Sequence, residues 1–363
     1  VLLNAQHRVI QLRHITSENG LSDNEVTSVI QDRQGYMWIG TKSGLNRYDG
    51  NKFIVYKPEL KTGSISSSVI FTIYEDSKKR LWVGTDGGGL NLYDREKDAF
   101  ISFRHDSGNP FSISSDQVYA ILEDTKGNLW IGTDGGGLNI MREDGSFIPF
   151  DTGRDDKNPL ENSIIRVLSQ DSKGRILIGT EGKGLSVVRY GIEGFFTYTN
   201  SPENPLSLQS DIIRTIFEDS SGRIWIGMEN AGISEFIPEK NEFIPLVLPG
   251  TDANSGISVR AVTEDNEGKL WIGTDNDGIY IYSPETGKWD IIRSGSSQGS
   301  LSNETIRSLL KDSNGHMWIG TRDGGVNLYN PLSSRFRSID AEGITTPRKN
   351  QIREIIETPD GRI

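Results

Sequence analysis

The feature that most constrains this chain is a tetrapeptide that returns seven times. Trp-Ile-Gly-Thr stands at 38–41, 130–133, 271–274 and 318–321. Near copies stand at 82–85 (Trp-Val-Gly-Thr), 177–180 (Leu-Ile-Gly-Thr) and 225–228 (Trp-Ile-Gly-Met). The glycines Gly40, Gly84, Gly132, Gly179, Gly227, Gly273 and Gly320 lie 44, 48, 47, 48, 46 and 47 residues apart. A near-constant period in the forties makes a repeat architecture, so 363 residues need not mean the two or three domains their length suggests.

Each unit reads as four short strands. The first is apolar-rich and ends in an acid, as in Val26 to Asp32, Val118 to Asp124 and Ile213 to Asp219. A turn follows with Gly three residues after the Asp (Asp124 to Gly127, Asp312 to Gly315), a spacing suited to a hairpin whose Gly takes positive φ. The Trp-Ile-Gly-Thr segment is the second strand, and a glycine-rich turn leads to the third. The fourth centres on Phe53, Phe100, Phe147, Phe195, Phe243, Trp289 or Phe336. The expected fold is therefore all-β, a seven-bladed β-propeller of four-stranded antiparallel blades, with a solenoid of stacked units as the competing architecture. Residues 9–15 read as a fourth strand placed ahead of the first unit. They are expected to complete the seventh blade and hide two sheet edges, with Phe336 to Ile339 competing for the same place. The expected organisation is an N-terminal stub at 1–8, the propeller at 9–347, and the start of a further unit at 348–363. There Ile352-Arg353-Glu354-Ile355-Ile356 and the turn to Gly361 repeat a first strand and stop one residue before the next Trp, so the natural protein is expected to continue.

Composition removes whole classes of function. Asp and Glu outnumber Lys and Arg 50 to 39, a net charge of −11, which argues against nucleic-acid binding and against an electrostatic anchor on anionic lipid. No cysteine is present, so disulfides, thiolate metal sites and cysteine nucleophiles are excluded. No run of about 18 apolar residues spans a membrane. Val1 to Ala5 fit equally the tail of a secretory signal or an arbitrary chain boundary.

The consensus Gly-Leu-x8-Ile-x-Glu-Asp-x-x-Gly-x-Leu-Trp-Ile-Gly-Thr-x-x-Gly-Gly-Leu-x-x-Tyr-Asp resembles the two-component regulator propeller over residues 20–340. The resemblance implies the periplasmic sensor region of a Bacteroidetes-type hybrid two-component system that detects oligosaccharides from glycan breakdown. It also implies a further propeller, an immunoglobulin-like domain, a membrane helix, and kinase and response-regulator parts outside this chain, with a homodimer left open.

Most candidate site residues have structural explanations. The tryptophans recur at one strand position, as blade-to-blade packing requires, and Asp32, Asp76, Asp124, Asp171, Asp219, Asp265 and Asp312 suit acceptors in their own turns. Gly87 to Gly89 and Gly135 to Gly137 precede strands rather than helices, so they are turns and not phosphate cradles. Asp275-Asn276-Asp277-Gly278 has the flavour of a calcium loop, but Pro284 stands where such a loop needs its Glu. His7, His14, His105 and His316 form no metal spacing and no catalytic triad order. No catalytic residue, metal or cofactor is expected, and a propeller-fold glycosidase, a polysaccharide lyase or a purely structural interaction propeller stand as alternatives to the sensor.

One column breaks the regularity. Five residues before each of those Asp residues stand Thr27, Phe71, Tyr119, Arg166, Arg214, Arg260 and Arg307. If first strands are innermost, the column lies by one mouth of the central channel. The residues following Trp-Ile-Gly-Thr share that face: Lys42, Asp86, Asp134, Glu181, Glu229, Asp275 and Arg322. Either each Arg pairs with an acid of its own or a neighbouring blade, or Phe71, Tyr119, Arg166, Arg214, Arg260 and Arg307 form a concave surface for a sugar acid.

Overall fold

A computed structural model of the chain describes residues 12–150, 158–189, 195–251, 256–295 and 299–331. They form seven four-stranded antiparallel sheets, the seven blades of a β-propeller. Blade one runs Val26–Gln31, Met37–Thr41, Gly44–Tyr48, Phe53–Tyr56, and blades two to six repeat that order. Blade seven takes Ile306–Lys311, Met317–Thr321 and Val326–Tyr329 from its own unit. Its outermost strand is Leu12–Ile15, paired antiparallel with Val326–Tyr329. The expected N-terminal closing strand is thus present over 12–15. Val9 to Gln11, Phe336 to Ile339, the stub at 1–8 and the segment 348–363 lie outside the described residues.

The second strands are buried at every position, because both faces of a blade are covered by its neighbours. Trp38 is fully buried, in a cluster with Ile70 and Ile73 of the next blade, so the tryptophan column serves packing and offers no platform to a ligand. The glycine of the tetrapeptide is required by close approach. A Cβ on Gly40 would lie 2.7 Å from Ile70 Cγ2, and one on Gly273 would lie 2.6 Å from Ile306 Cγ2, each in the first strand of the following blade.

Two hydrogen-bond systems hold the blades in register. Within a blade, the turn Asp does double work. Asp124 Oδ1 accepts the N–H of Lys126 and of Asn128, both at 2.9 Å, while its Oδ2 accepts Trp130 Nε1–H at 2.8 Å. The Asp–Trp bond recurs in six blades. In blade four, where Leu177 replaces Trp, Arg175 Nε donates to Asp171 Oδ2 instead. Between blades, the last residue of the first strand accepts a backbone N–H from the preceding turn in six of the seven blades. Examples are Glu75 with Arg33 (2.9 Å), Gln170 with Thr125 (2.8 Å) and Glu218 with Ser172 (2.7 Å). Lys311 occupies this position in blade seven and has no acceptor to offer.

Candidate functional site

The mouth of the ring is built by seven β-bulges. In every blade the pairing of first and second strand skips one residue: between Val26 and Ser28, Ile70 and Thr72, Val118 and Ala120, and likewise in blades four to seven. The skipped residues are Thr27, Phe71, Tyr119, Arg166, Arg214, Arg260 and Arg307. A bulge leaves its extra residue out of the ladder and re-aims the side chain. First strands pack on one another around the ring, so they are innermost, and the seven side chains converge on the axis. With Glu25 and Lys42 they line one cavity of about 310 Å³. All six residues expected from the sequence are therefore brought together.

Around this cavity the side chains form an ordered arc. Lys42 Nζ lies 5.6 Å from the Phe71 ring centre, and Phe71 stacks on Tyr119 with centroids 4.4 Å apart and planes at 23°. The Arg166 guanidinium covers Tyr119 at 3.8 Å and pairs with Glu181. Arg214 lies 2.5 Å from Glu229 and 3.6 Å from Glu181, and Arg260 lies 2.6 Å from Asp275 and 3.8 Å from Glu229. Three arginines thus follow the pairing alternative, each bonded to the acid of its own blade, and two of them also reach the acid of the preceding blade. Asp86 and Asp134, also expected as arginine partners, are not: Asp86 accepts Gln117 Nε2–H at 2.8 Å, and Asp134 lies 3.4 Å from the Tyr119 hydroxyl. With Phe71 on one side and Arg166 on the other, Tyr119 keeps no open face for stacking a sugar.

Arg307 stands apart. Among the described residues it makes no ion pair. Burial, the Arg260 charge and the Arg322 charge push it below the ordinary guanidinium range, against the pull of Asp275 and Glu25. Beside it, Asp275 spends only Oδ2 on Arg260, while its Oδ1 is buried without a hydrogen-bond partner. Burial also pushes the Tyr119 hydroxyl up, opposed by Arg166.

The remaining sequence candidates are consumed by the fold. In the 275–278 turn, Asp275 faces Arg260, Asp277 lies 2.7 Å from Arg293, and Asn276 accepts Thr305 Oγ1–H at 2.7 Å. Gly87 and Gly89 take φ of +70° and +74° in the turn that opens the strand Leu90–Asp94. His14, His105 and His316 lie beside Ser300 O, Ile113 O and Asp312 in three separate places, and His7 lies outside the described residues. Among the described residues no group of three or more His, Asp or Glu side chains could hold a metal ion. No described helix is long and apolar enough to cross a membrane.

The model of the two component regulator propeller matches residues 20–43, 64–87, 112–135, 207–230, 254–276 and 300–323. The extracellular domain of a candidate hybrid two-component system from B. thetaiotaomicron superposes with a TM-score of 0.76 at 28% identity, over 88% of this chain and 42% of that one. A 64-residue segment is 38% identical to histidine kinase P4 of Formosa agariphila, covering 17% of this chain and 5% of the kinase. Virginiamycin B lyase from Staphylococcus aureus superposes with a TM-score of 0.65 at 11% identity over 88% of this chain and 99% of that one, which shows the shared fold alone. The chain spans less than half the length of the two-component relatives it matches.

Proposed function

We propose, from the premise that this chain is a propeller of two-component regulator repeats, that it is the ligand-sensing module of a hybrid two-component sensor and detects oligosaccharides released in glycan breakdown. The observation that carries this reading is the overlay along 88% of the chain on an extracellular domain of that class of system. On this reading the module lies in the periplasm, on a parent anchored in the inner membrane, and its signal passes through a further propeller to kinase and response-regulator parts. The axial cavity lined by Phe71, Tyr119, Arg166, Arg214, Arg260 and Arg307 is the recognition surface we assign to it. Its volume admits a monosaccharide unit and part of a neighbour, so the rest of an oligosaccharide would lie across the rim.

The test is calorimetry of the chain against a panel of plant and host oligosaccharides, run beside reducing-end and unsaturated-product assays on the parent polysaccharides. Saturable heat with no product supports the sensor. Turnover moves the protein to the glycosidase or lyase class, and silence in both assays leaves a structural interaction propeller.

A further inference from the structure

The axial cavity is not uniform, and its asymmetry suggests what chemistry it selects. From Phe71 to Asp275 the charged and aromatic groups satisfy one another. The stacked pair Phe71–Tyr119 is capped by Arg166, and Glu181, Glu229 and Asp275 neutralise Arg166, Arg214 and Arg260 in turn. That arc has little left to offer a ligand. Between blades six and one the pattern changes. The residue after the tetrapeptide, an acid in blades two to six, becomes Arg322 in blade seven and Lys42 in blade one. The guanidinium of Arg307, which such an acid would have paired, is therefore left without an ion pair among the described residues, with Arg260 and Arg322 opposing the pull of Asp275 and Glu25. Glu25 is the one carboxylate that lines the cavity, and among the described residues it pairs with none of these cations.

We infer that the arc of Arg307 and Lys42, with Arg322 at its rim, is a subsite for one anionic substituent, a carboxylate or a sulfate ester. This inference rests on the sensor reading for its ligand and narrows that ligand to acidic oligosaccharides. A guanidinium inside a cavity is best matched by a planar or tetrahedral oxyanion, because charge-assisted hydrogen bonds restore what desolvation removed. A neutral oligosaccharide would fill the cavity and leave Arg307 without an ion pair. The net charge of −11 does not prevent this, because at physiological salt it acts only over about 8 to 10 Å.

The experiment compares oligogalacturonides, sulfated glycosaminoglycan oligosaccharides and neutral oligosaccharides of matched length by calorimetry, with the 363-residue chain and its Arg307→Gln and Lys42→Gln variants. The expected result is binding of one acidic set, weakened about tenfold or more in Arg307→Gln, and no gain for neutral sugars. The uronide and sulfate arms tell which oxyanion is used. Equal binding of acidic and neutral oligosaccharides, or acidic binding unchanged in both variants, overturns the subsite while leaving the sensor reading intact. Inorganic sulfate, titrated alone and followed through the Arg307 Nε–H resonance, reads the subsite without a sugar. A saturable shift there with no oligosaccharide binding keeps the subsite and removes the sensor reading, and no shift together with no binding removes both.

Discussion

Gly320 and Val26, nearly 300 residues apart in sequence, sit so close that a Cβ on Gly320 would lie 2.6 Å from Val26 Cγ1. It is the same approach that Gly40 makes to Ile70 and Gly273 to Ile306, carried across the seam where blade seven meets blade one, and it shows that the ring closes with the spacing of its other interfaces. Because that spacing leaves no slack, Gly320→Ala is expected to destabilise the protein by about 1 to 3 kcal/mol through overpacking in urea titrations. Val26→Ala in the same chain should recover part of the loss, since contacting sites couple. Additive losses in the double variant would mean that the two residues do not touch.

Blade four supplies a second test, because its turn aspartate has a different set of donors. Asp171 and Asp219 are both buried, but Asp219 Oδ2 accepts from Trp225 Nε1 at 2.9 Å as well as from Arg223. Asp171 Oδ2 has Arg175 alone among the described donors. Arg175→Ala should therefore cost about 1 to 3 kcal/mol by leaving a buried carboxylate oxygen unsatisfied. Arg223→Ala, which leaves the indole in place, should cost under about 1 kcal/mol. Equal losses would show that the arginines act only as packing.

These two relationships mark the limit of what the sequence discloses. Blade number, the N-terminal closing strand and the positions of the turns follow from the period of the tetrapeptide and the Asp-to-Gly spacing. The Asp–Trp bond had a signal in the constant six-residue separation of Asp32 from Trp38 and Asp312 from Trp318. That signal is masked, because each residue already has a sufficient local explanation. The mouth was legible as a column, since a bulge at one position in all seven units sends Thr27 and Arg307 to the same place. The state of that column was not. Whether Arg214 reaches Glu229, Glu181 or solvent depends on side-chain rotamers set across blade boundaries, and a one-dimensional pattern carries no information about them. Asp86 and Asp134 illustrate the point. They occupy acid positions equivalent to Glu181, yet they face Gln117 and Tyr119 because their blades carry aromatics in the column.

Asp312 predicts a pH response. Burial pushes its carboxyl up. That push is outweighed by the Trp318 indole N–H, the His316 backbone N–H and the His316 ring, so the group ends below its ordinary 3.8. A carboxyl depressed in the folded state contributes stability that is present above its unfolded value and lost as pH falls through the folded one. Unfolding free energy should therefore drop as pH goes below about 4. Trp318→Phe, which removes one donor, should bring the folded value nearer to the unfolded one and flatten that acid limb, apart from any loss that is constant with pH. An unchanged slope between pH 5 and 2 would remove the indole from the account.

The arginine column makes the last prediction, because its members should behave oppositely when truncated. Arg214 has a side chain 14% exposed and lies against Glu229 and Glu181, bridging blades four and five. Its removal leaves Glu229 with Arg260 alone, at 3.8 Å, and Glu181 with Arg166 alone. Arg214→Ala is therefore expected to cost roughly 1 to 2 kcal/mol, below the figure for a fully buried pair because water still screens the site. Arg307 has no such partner, and Arg260 and Arg322 repel it. Arg307→Ala relieves that repulsion and should leave the melting temperature unchanged or raise it. Salt sharpens the contrast: going from low to high ionic strength should lower the melting temperature of the parent relative to Arg214→Ala, and should shrink any gain of Arg307→Ala. Differential scanning calorimetry at two salt concentrations reads all of these. If Arg307→Ala melts as early as Arg214→Ala, then Arg307 is a member of the structural belt and the two arcs of the cavity are one.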